Sequence, residues 1–153
     1  MSQSESEREY DGVICFGGED WWYHNRGHYD MQMMRQLARH LPVLYVNSIG
    51  MRTPSIGEGR MFVRRLGRKL RSLLRGRQRV SESMSVYTPP ALPGPLGLPA
   101  TRRFLLAGVR RGMRASGIRN PLVWVNCPTA AEFVDALDPA AVVYQRTDRY
   151  EAF

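Results

Sequence analysis

The chain has 153 residues, of which 43% are hydrophobic and 24% charged, a composition typical of one globular domain. Its 22 Lys and Arg residues against 14 Asp and Glu residues give a net charge of +8, which favours anionic partners. The polar first nine residues exclude a secretory signal, and no apolar run reaches the ~18 residues that cross a bilayer. We therefore expect a cytoplasmic domain at 11–153, peripheral on the inner face of a membrane, after a disordered polar leader at 1–10.

The first third of the domain has the pattern of a β-strand, an α-helix and a second β-strand. The predicted bounds are 13–16 for the first strand, 28–41 for the helix and 43–46 for the second strand. Gly17 and Gly18 close the first strand with a turn, and Pro42 ends the helix. Such a βαβ unit places its two strands parallel in one sheet.

The same pattern repeats in the rest of the chain. The predicted elements are a strand at 85–88, a helix from Thr101 to a stop at Gly117, a strand at 122–125, a short helix that buries Phe133, Val134 and Leu137, and a strand at 141–144. Thr129 and Glu132 have the spacing of a capping box for the short helix. Strands that are apolar throughout indicate a parallel sheet with helices on both faces. We therefore predict an α/β fold, a doubly wound and mostly parallel sheet of about five strands.

A basic segment, Arg60–Arg79, separates the two repeats. It holds nine of the 22 basic residues and no acidic residue. On a helical wheel its charged and apolar residues fall on opposite arcs. The charged arc is Arg64, Arg65, Arg68, Arg71 and Arg75, with Lys69 at its border, and the apolar arc includes Leu66, Leu70, Leu73 and Leu74.

Two interpretations of this segment compete. It is either an interfacial helix, whose leucines enter a lipid boundary while its arginines meet anionic headgroups, or a crossover helix that packs on the sheet. The length of the connection between the second and third strands favours the membrane surface. Nucleic acid is an unlikely partner, because Phe62 is the segment's one aromatic residue for stacking on bases.

Ligands of open α/β sheets bind beyond the carboxyl ends of the strands. The candidate ligand residues there are Gly17, Gly18, Arg26, His28, Asn126 and Asp148. The glycine pair permits close backbone approach, and Arg26 or His28 at a helix N-terminus could meet a phosphate. Two alternatives to ligand binding stay open, one for each end of the chain. The aromatic residues 21–23 simply cover the sheet edge, and Asp148 is the N-cap of a further element.

Several reaction classes leave no signature in the chain. The glycines do not form G-x-G-x-x-G, and Asn47 stands after the second strand where a ribose-binding acid would be expected, which argues against a dinucleotide cofactor. The sequence contains no nucleophile elbow, P-loop or cluster with metal-ligand spacing. Catalytic residues are therefore left unassigned, and we expect no metal or cofactor.

Three segments of the chain resemble GT-B glycosyltransferases of families 4 and 1. Residues 37–47, LARHLPVLYVN, follow the family's "LA..L..VLYV" pattern. Residues 122–128, LVWVNCP, look like its "W...P" segment, and 141–153, AVVYQRTDRYEAF, look like "VVYDCVDDYSAF". Gln145, Arg146 and Arg149 depart from the acidic family pattern and leave Asp148 as the carboxylate there.

The resemblance implies a two-domain enzyme of cell-wall or exopolysaccharide synthesis. Its N-terminal domain takes a lipid-linked or polysaccharide acceptor, its C-terminal domain binds a nucleotide-diphosphate sugar, and catalysis generally needs no bound metal. We therefore expect the chain to be the N-terminal, acceptor-side domain, truncated before the donor-binding half and inactive alone. The alternative is a non-enzymatic basic α/β module that binds anionic lipid or nucleic acid, and a nicotinamide-dependent oxidoreductase comes third.

Overall fold

The computed structural model describes residues 10–18, 21–22, 29–47, 64, 76–89 and 97–145. The strands of this part are β1 (Gly12–Phe16), β2 (Val43–Val46), β3 (Arg77–Ser81), β4 (Met84–Tyr87), β5 (Pro121–Val125) and β6 (Ala141–Tyr144). Its helices are α1 (Tyr29–Leu37), α2 (Gly97–Ser116) and two 3₁₀ helices, Pro128–Phe133 and Asp135–Leu137.

The six strands form one sheet in the order β3-β4-β2-β1-β5-β6. Five of them run parallel to one another, and β3 pairs antiparallel with β4 at the edge. The chain starts in the middle of the sheet with β1 and adds β2 beside it. It then reaches the edge with β3, turns back to β4, and crosses to the other side of β1 for β5 and β6. The predicted α/β fold with a mostly parallel sheet is confirmed, and the predicted number of five strands is one too few.

One face of the sheet is covered by α2 and the 3₁₀ helices. The strands contribute Ile14, Phe16, Leu44, Val46, Val123 and Val125, which pack against Leu105, Val109 and Met113 of α2 and against Phe133, Val134 and Leu137. Two glycines let α2 approach closely. A Cβ on Gly108 would lie 2.0 Å from Tyr87 Oη, and one on Gly112 would lie 2.8 Å from Leu44 Cδ2. The predicted burial of Phe133, Val134 and Leu137 is confirmed.

The opposite face is covered by α1. The alternate strand residues point this way and include Val13, Cys15, Val43, Tyr45 and Val86, which pack with Met31 and Met34 of α1 and with Trp21. Most of these side chains are fully buried, and each buried aliphatic side chain stabilises the fold by about 1.5–3 kcal/mol. The sheet therefore has a helical layer on each face, as the all-apolar strands predicted.

The edge strand β3 corrects the prediction of a continuous helix over 60–79. Gly76 has a φ of +54°, and the strand that starts at Arg77 pairs with β4 in a hairpin. All five residues of β3 are exposed. The strand therefore needs no apolar face, and its sequence, RQRVS, does not show the apolar alternation by which a half-buried strand is recognised. The neighbouring strand β4 lies one residue earlier than the predicted strand at 85–88.

Helix α2 ends as predicted at Gly117, which adopts a φ of +72°. Gly117 N–H donates to Arg114 O at 3.2 Å, and Ile118 N–H donates to Met113 O at 2.9 Å, the two bonds of a Schellman motif. The helix begins at Gly97, four residues before the predicted start at Thr101. Helix α1 is shorter than predicted, since it ends at Leu37 and continues as turns to Pro42.

The predicted capping box after β5 is wrong. Pro128 occupies the first turn of the 3₁₀ helix, Cys127 is the N-cap, and no side chain caps it. Thr129 Oγ1 is instead hydrogen-bonded to Cys127 Sγ at 2.9 Å, and Glu132 forms an ion pair with Arg102 of α2. With Pro128 at the first helical position, the N-cap lies two residues before the predicted one, so Thr129 is inside the first turn and cannot be the N-cap.

Candidate ligand-binding site at the carboxyl edge

Polar residues and glycines follow the parallel strands at their shared carboxyl edge. Gly17 and Gly18 follow β1, Asn47 follows β2, Thr88 follows β4, and Asn126 follows β5. Strand order reverses between β1 and β5, the point where open α/β sheets form a ligand crevice. Asn126 N–H donates to Phe16 O at 3.0 Å, which ties the residue after β5 to the end of β1.

The two glycines after β1 have different surroundings. Gly17 is buried, and a Cβ there would lie 2.0 Å from Tyr45 Oη, so Gly17 is needed for the packing of that ring. Gly18 is half-buried, and a Cβ there would meet no atom of the described residues within 4 Å. Of the two, Gly18 is therefore the one with room for a ligand to approach its backbone.

Asp30, in the first turn of α1, organises this loop. Its Oδ2 accepts hydrogen bonds from Gly18 N–H at 3.2 Å and from Tyr45 Oη at 3.0 Å, while its Oδ1 accepts one from Met31 N–H at 2.8 Å. A carboxylate at a helix N-terminus is also stabilised by the helix dipole. Sequence reasoning missed Asp30, although an acidic residue at the start of a predicted helix is a recognisable signal.

Asn47 holds the β1 loop against the ends of β2 and β4. Its Oδ1 accepts from Trp21 N–H at 2.9 Å, and its Nδ2 donates to Thr88 Oγ1 at 2.9 Å. The Trp21 side chain is 2% exposed and packs on Tyr45, with 5.2 Å between ring centroids. The interpretation that an aromatic residue of this loop covers the sheet therefore holds for Trp21.

Asn126 is buried, but its side-chain amide has fewer hydrogen bonds than that of Asn47. Its Nδ2 contacts Cys15 Sγ at 3.6 Å, and its Oδ1 accepts no hydrogen bond within the described part of the chain. A buried carbonyl oxygen without a donor costs about 1–3 kcal/mol, so it is a place where a ligand donor would be stabilising. Burial, and secondarily the charge of Asp30, raises the pKa of the neighbouring Cys15 thiol, which keeps it neutral.

The structure brings three of the predicted site residues together at the switch point: Gly17, Gly18 and Asn126. Arg26, His28 and Asp148 lie outside the described residues. The same is true of the predicted membrane residues Arg65, Leu66, Arg68, Lys69, Leu70, Arg71, Leu73, Leu74 and Arg75. Arg64 is described, and its backbone is helical and its side chain exposed.

The antiparallel direction of β3 determines where the connection 48–75 leaves and re-enters the sheet. Asn47 N–H donates to Tyr87 O at 2.9 Å, and Thr88 N–H donates to Gly76 O at 3.0 Å. Both ends of the connection therefore lie at the carboxyl edge, on either side of the end of β4. Since β3 itself returns the chain to the opposite edge, residues 48–75 are not required to cross the sheet.

The Asp30 carboxylate makes three internal hydrogen bonds. Among the residues that the structure describes, no group of three His, Cys, Asp or Glu side chains could hold a metal ion. None of the described helices is long and apolar enough to cross a membrane.

Comparison with known proteins adds no relative to this picture. No protein-family model matches the chain, and neither a curated protein nor a solved structure matches it.

Proposed function

We propose that the chain is the acceptor-side domain of a GT-B glycosyltransferase, and that the crevice between β1 and β5 faces the acceptor. The observation that carries the proposal is the pairing, at a topological switch point, of Gly18, where no described atom crowds a Cβ, with the buried Asn126 Oδ1, which has no hydrogen-bond partner among the described residues. A sugar hydroxyl is a donor of the kind that Asn126 Oδ1 lacks. The donor, a nucleotide-diphosphate sugar, is bound mainly by a second α/β domain.

The sheet topology also supports this proposal. A parallel sheet with helices on both faces leaves its carboxyl edge open to a facing domain. The segments 37–47, 122–128 and 141–153, which contain or end in three of its strands, resemble the same enzyme class. Because the Asp30 carboxylate is engaged in internal hydrogen bonds, we assign this side of the cleft to binding and orienting the acceptor. On this proposal the acceptor is lipid-linked or a polysaccharide, and the protein is a cytoplasmic enzyme of cell-wall or exopolysaccharide synthesis.

The membrane part of the proposal concerns the basic segment. Because Asn47 follows β2 and Gly76 precedes β3, both ends of the connection 48–75 lie at the carboxyl edge, the edge that also holds the acceptor crevice. A basic amphipathic segment there would hold the crevice near anionic headgroups, where a lipid-linked acceptor is found. Localisation is then peripheral, on the cytoplasmic face of the membrane.

The first experiment measures sugar transfer and acceptor binding. Incubated with nucleotide sugars and membrane extract, the 153 residues alone are expected to give no transfer, and reproducible transfer would contradict the proposed division of labour. In the enzyme with its donor-binding domain, Gly18→Val should abolish transfer because the branched side chain fills the space at the backbone. Gly18→Ala is the smaller control, and unchanged turnover in Gly18→Val would show that the loop only supports the fold.

The second experiment measures binding to anionic vesicles by co-sedimentation. Replacing Arg64, Arg65, Arg68 and Arg71 with Gln removes four charges and should weaken binding by about 4 kcal/mol. The matched control removes four exposed charges elsewhere, at Arg103, Arg111, Arg114 and Arg119. Wild-type binding should fall as salt rises.

If the wild-type chain does not pellet with anionic vesicles at low salt, the membrane proposal is wrong. If it pellets but no acceptor sugar binds at the crevice, the non-enzymatic alternative is favoured. The net charge of +8 is the observation behind that alternative.

A further inference from the structure

A second concave surface lies on the α1 face of the sheet, between α1 and the β3–β4 hairpin. This basic groove has a volume of about 800 Å³ and is lined by Trp21, Trp22, Arg35, Ala38, Arg39 and residues 78–84. A groove of this size falls within the range of small-molecule sites, which is about 300–1,000 Å³. Neither α1 nor the hairpin forms it alone.

Three arginines line the groove from two sides. Arg35 lies in α1, and Arg39 follows it by four residues, just beyond the helix end at Leu37. Arg79 comes from the hairpin. Two of them are held in place by neutral partners. Arg35 Cζ lies 5.1 Å from the centroid of the Trp21 ring, and Arg79 donates from Nε to Ser81 O at 3.1 Å and from Nη2 to Glu82 O at 2.8 Å.

The positive charge of the groove is not balanced by ion pairs. Within the described ranges, none of the three guanidinium groups forms a salt bridge, and Arg39 reaches only the Gln36 side-chain oxygen, at 3.4 Å. Glu82 is the acidic residue of the lining, against three arginines. Like charges repel one another, so an anion that occupies the groove would offset the repulsion among the three guanidinium groups.

We propose that the basic groove binds a phosphate-bearing ligand. The guanidinium fork pairs with phosphate oxygens through two parallel hydrogen bonds, and Arg35 and Arg79 are already oriented by their neutral contacts. Each guanidinium has five N–H donors, and the contacts described here use only one or two of those of Arg39 and Arg79. The ligand is either a free phosphorylated small molecule or the phosphate headgroup of a lipid. The proposal does not depend on the glycosyltransferase activity.

The test is a titration of the full chain with inorganic pyrophosphate, followed by calorimetry and by tryptophan fluorescence, because Trp21 and Trp22 line the groove. About 0.1 M chloride is present, since the Debye length is then about 10 Å and long-range attraction to the basic chain is screened. Saturable binding is expected. Arg39→Gln and Arg79→Gln should each weaken it at least tenfold, the loss expected for a charged hydrogen bond.

The matched control is Arg114→Gln, which removes an exposed charge from α2 on the other face of the sheet and should change affinity less than twofold. Arg39→Lys keeps the charge but loses the fork, and should retain part of the affinity. Far-UV circular dichroism checks folding of each variant. Should Arg79→Gln disturb the hairpin, Arg39→Gln carries the test.

Two further arms identify the source of the phosphate. Glucose 1-phosphate represents a free ligand, and phosphatidic acid vesicles, with phosphatidylcholine vesicles as the neutral control, represent a headgroup. Arginine-dependent binding of either one supports the groove and names its ligand class. The proposal is overturned if pyrophosphate does not bind saturably, or if Arg114→Gln weakens binding as much as Arg39→Gln does.

Discussion

Asn47 and Asn126 occupy equivalent positions at the carboxyl edge, each directly after a buried parallel strand, yet their surroundings differ. Asn47 is 2% exposed and uses both ends of its amide, on Trp21 N–H and on Thr88 Oγ1. Asn126 is 7% exposed, and its Oδ1 has no partner in the part of the chain that the structure describes. Buried polar groups are usually satisfied, so this difference is what the proposed ligand-binding role of Asn126 rests on.

The same division applies to the two glycines after β1. Gly17 belongs with the structural group, since it makes room for Tyr45, whose hydroxyl donates to Asp30. Gly18 has open space beside it and belongs with Asn126. On the β1–β2–β4 side of the edge, the polar groups of Asp30 and Asn47 are therefore joined in a closed hydrogen-bond network. At the boundary with β5, Asn126 Oδ1 has no partner among the described residues.

The largest expected effect comes from Gly17→Ala. Its new Cβ would lie 2.0 Å from Tyr45 Oη and 2.2 Å from Cζ, and the fully buried ring cannot move without losing its hydrogen bond to Asp30. We expect a loss of about 3 kcal/mol in the free energy of unfolding, measured with urea. Gly18→Ala is the control and should cost less than about 0.5 kcal/mol. Equal losses in both variants would contradict the division between the glycines.

A smaller difference is expected between Asn47→Ala and Asn126→Ala. The first leaves Trp21 N–H and Thr88 Oγ1 without their partner and should destabilise by about 2 kcal/mol. The second removes an unsatisfied oxygen and one contact to sulfur, so we expect less than about 1 kcal/mol. Urea unfolding measures both. If Asn126→Ala is the more destabilising, Asn126 is part of the scaffold and the proposed crevice loses its main support.

The parallel strands could be predicted because each is a short, wholly apolar run. β1, β2 and β5 were placed to within one residue, since a strand buried on both faces needs no alternation. β3 could not be found in this way. Its sequence, RQRVS, is exposed at every position and continues the arginine-rich pattern that precedes it, so the hairpin partner Met84–Tyr87 is what determines its conformation.

The site was predictable only in outline. The carboxyl-edge rule brought Gly17, Gly18 and Asn126 to the same place, but the sequence cannot distinguish Gly17 from Gly18, because the difference lies in Tyr45, 28 residues further along. Asp30 was missed for the same reason, since its partners Gly18 and Tyr45 are 12 and 15 residues away. The basic groove requires α1 and the unpredicted hairpin together.

The smallest effect tests whether the closed side of the edge excludes water around Cys15. This thiol is fully buried, and burial together with Asp30 raises its pKa well above 9.0. In the unfolded chain the thiol ionises near pH 8.5. Above that pH the unfolded state has lost a proton that the folded state keeps, so the stability contributed by Cys15 is complete below about pH 8.5 and falls as pH rises.

The measurement is urea unfolding of wild type and Cys15→Ala at several pH values from about 7 to 9, below the midpoint near pH 10 at which an unfolded tyrosine ionises. Between about pH 7 and 9 wild type should lose stability faster than Cys15→Ala, by no more than about 1.4 kcal/mol per pH unit, which is the value of a difference of one bound proton. Val13→Ala, which removes a buried side chain from the same face of β1 without a titratable group, should keep the wild-type slope. If the Cys15→Ala slope equals that of wild type, solvent reaches the thiol in the folded protein, and the closed network at the β1–β2–β4 side is not closed.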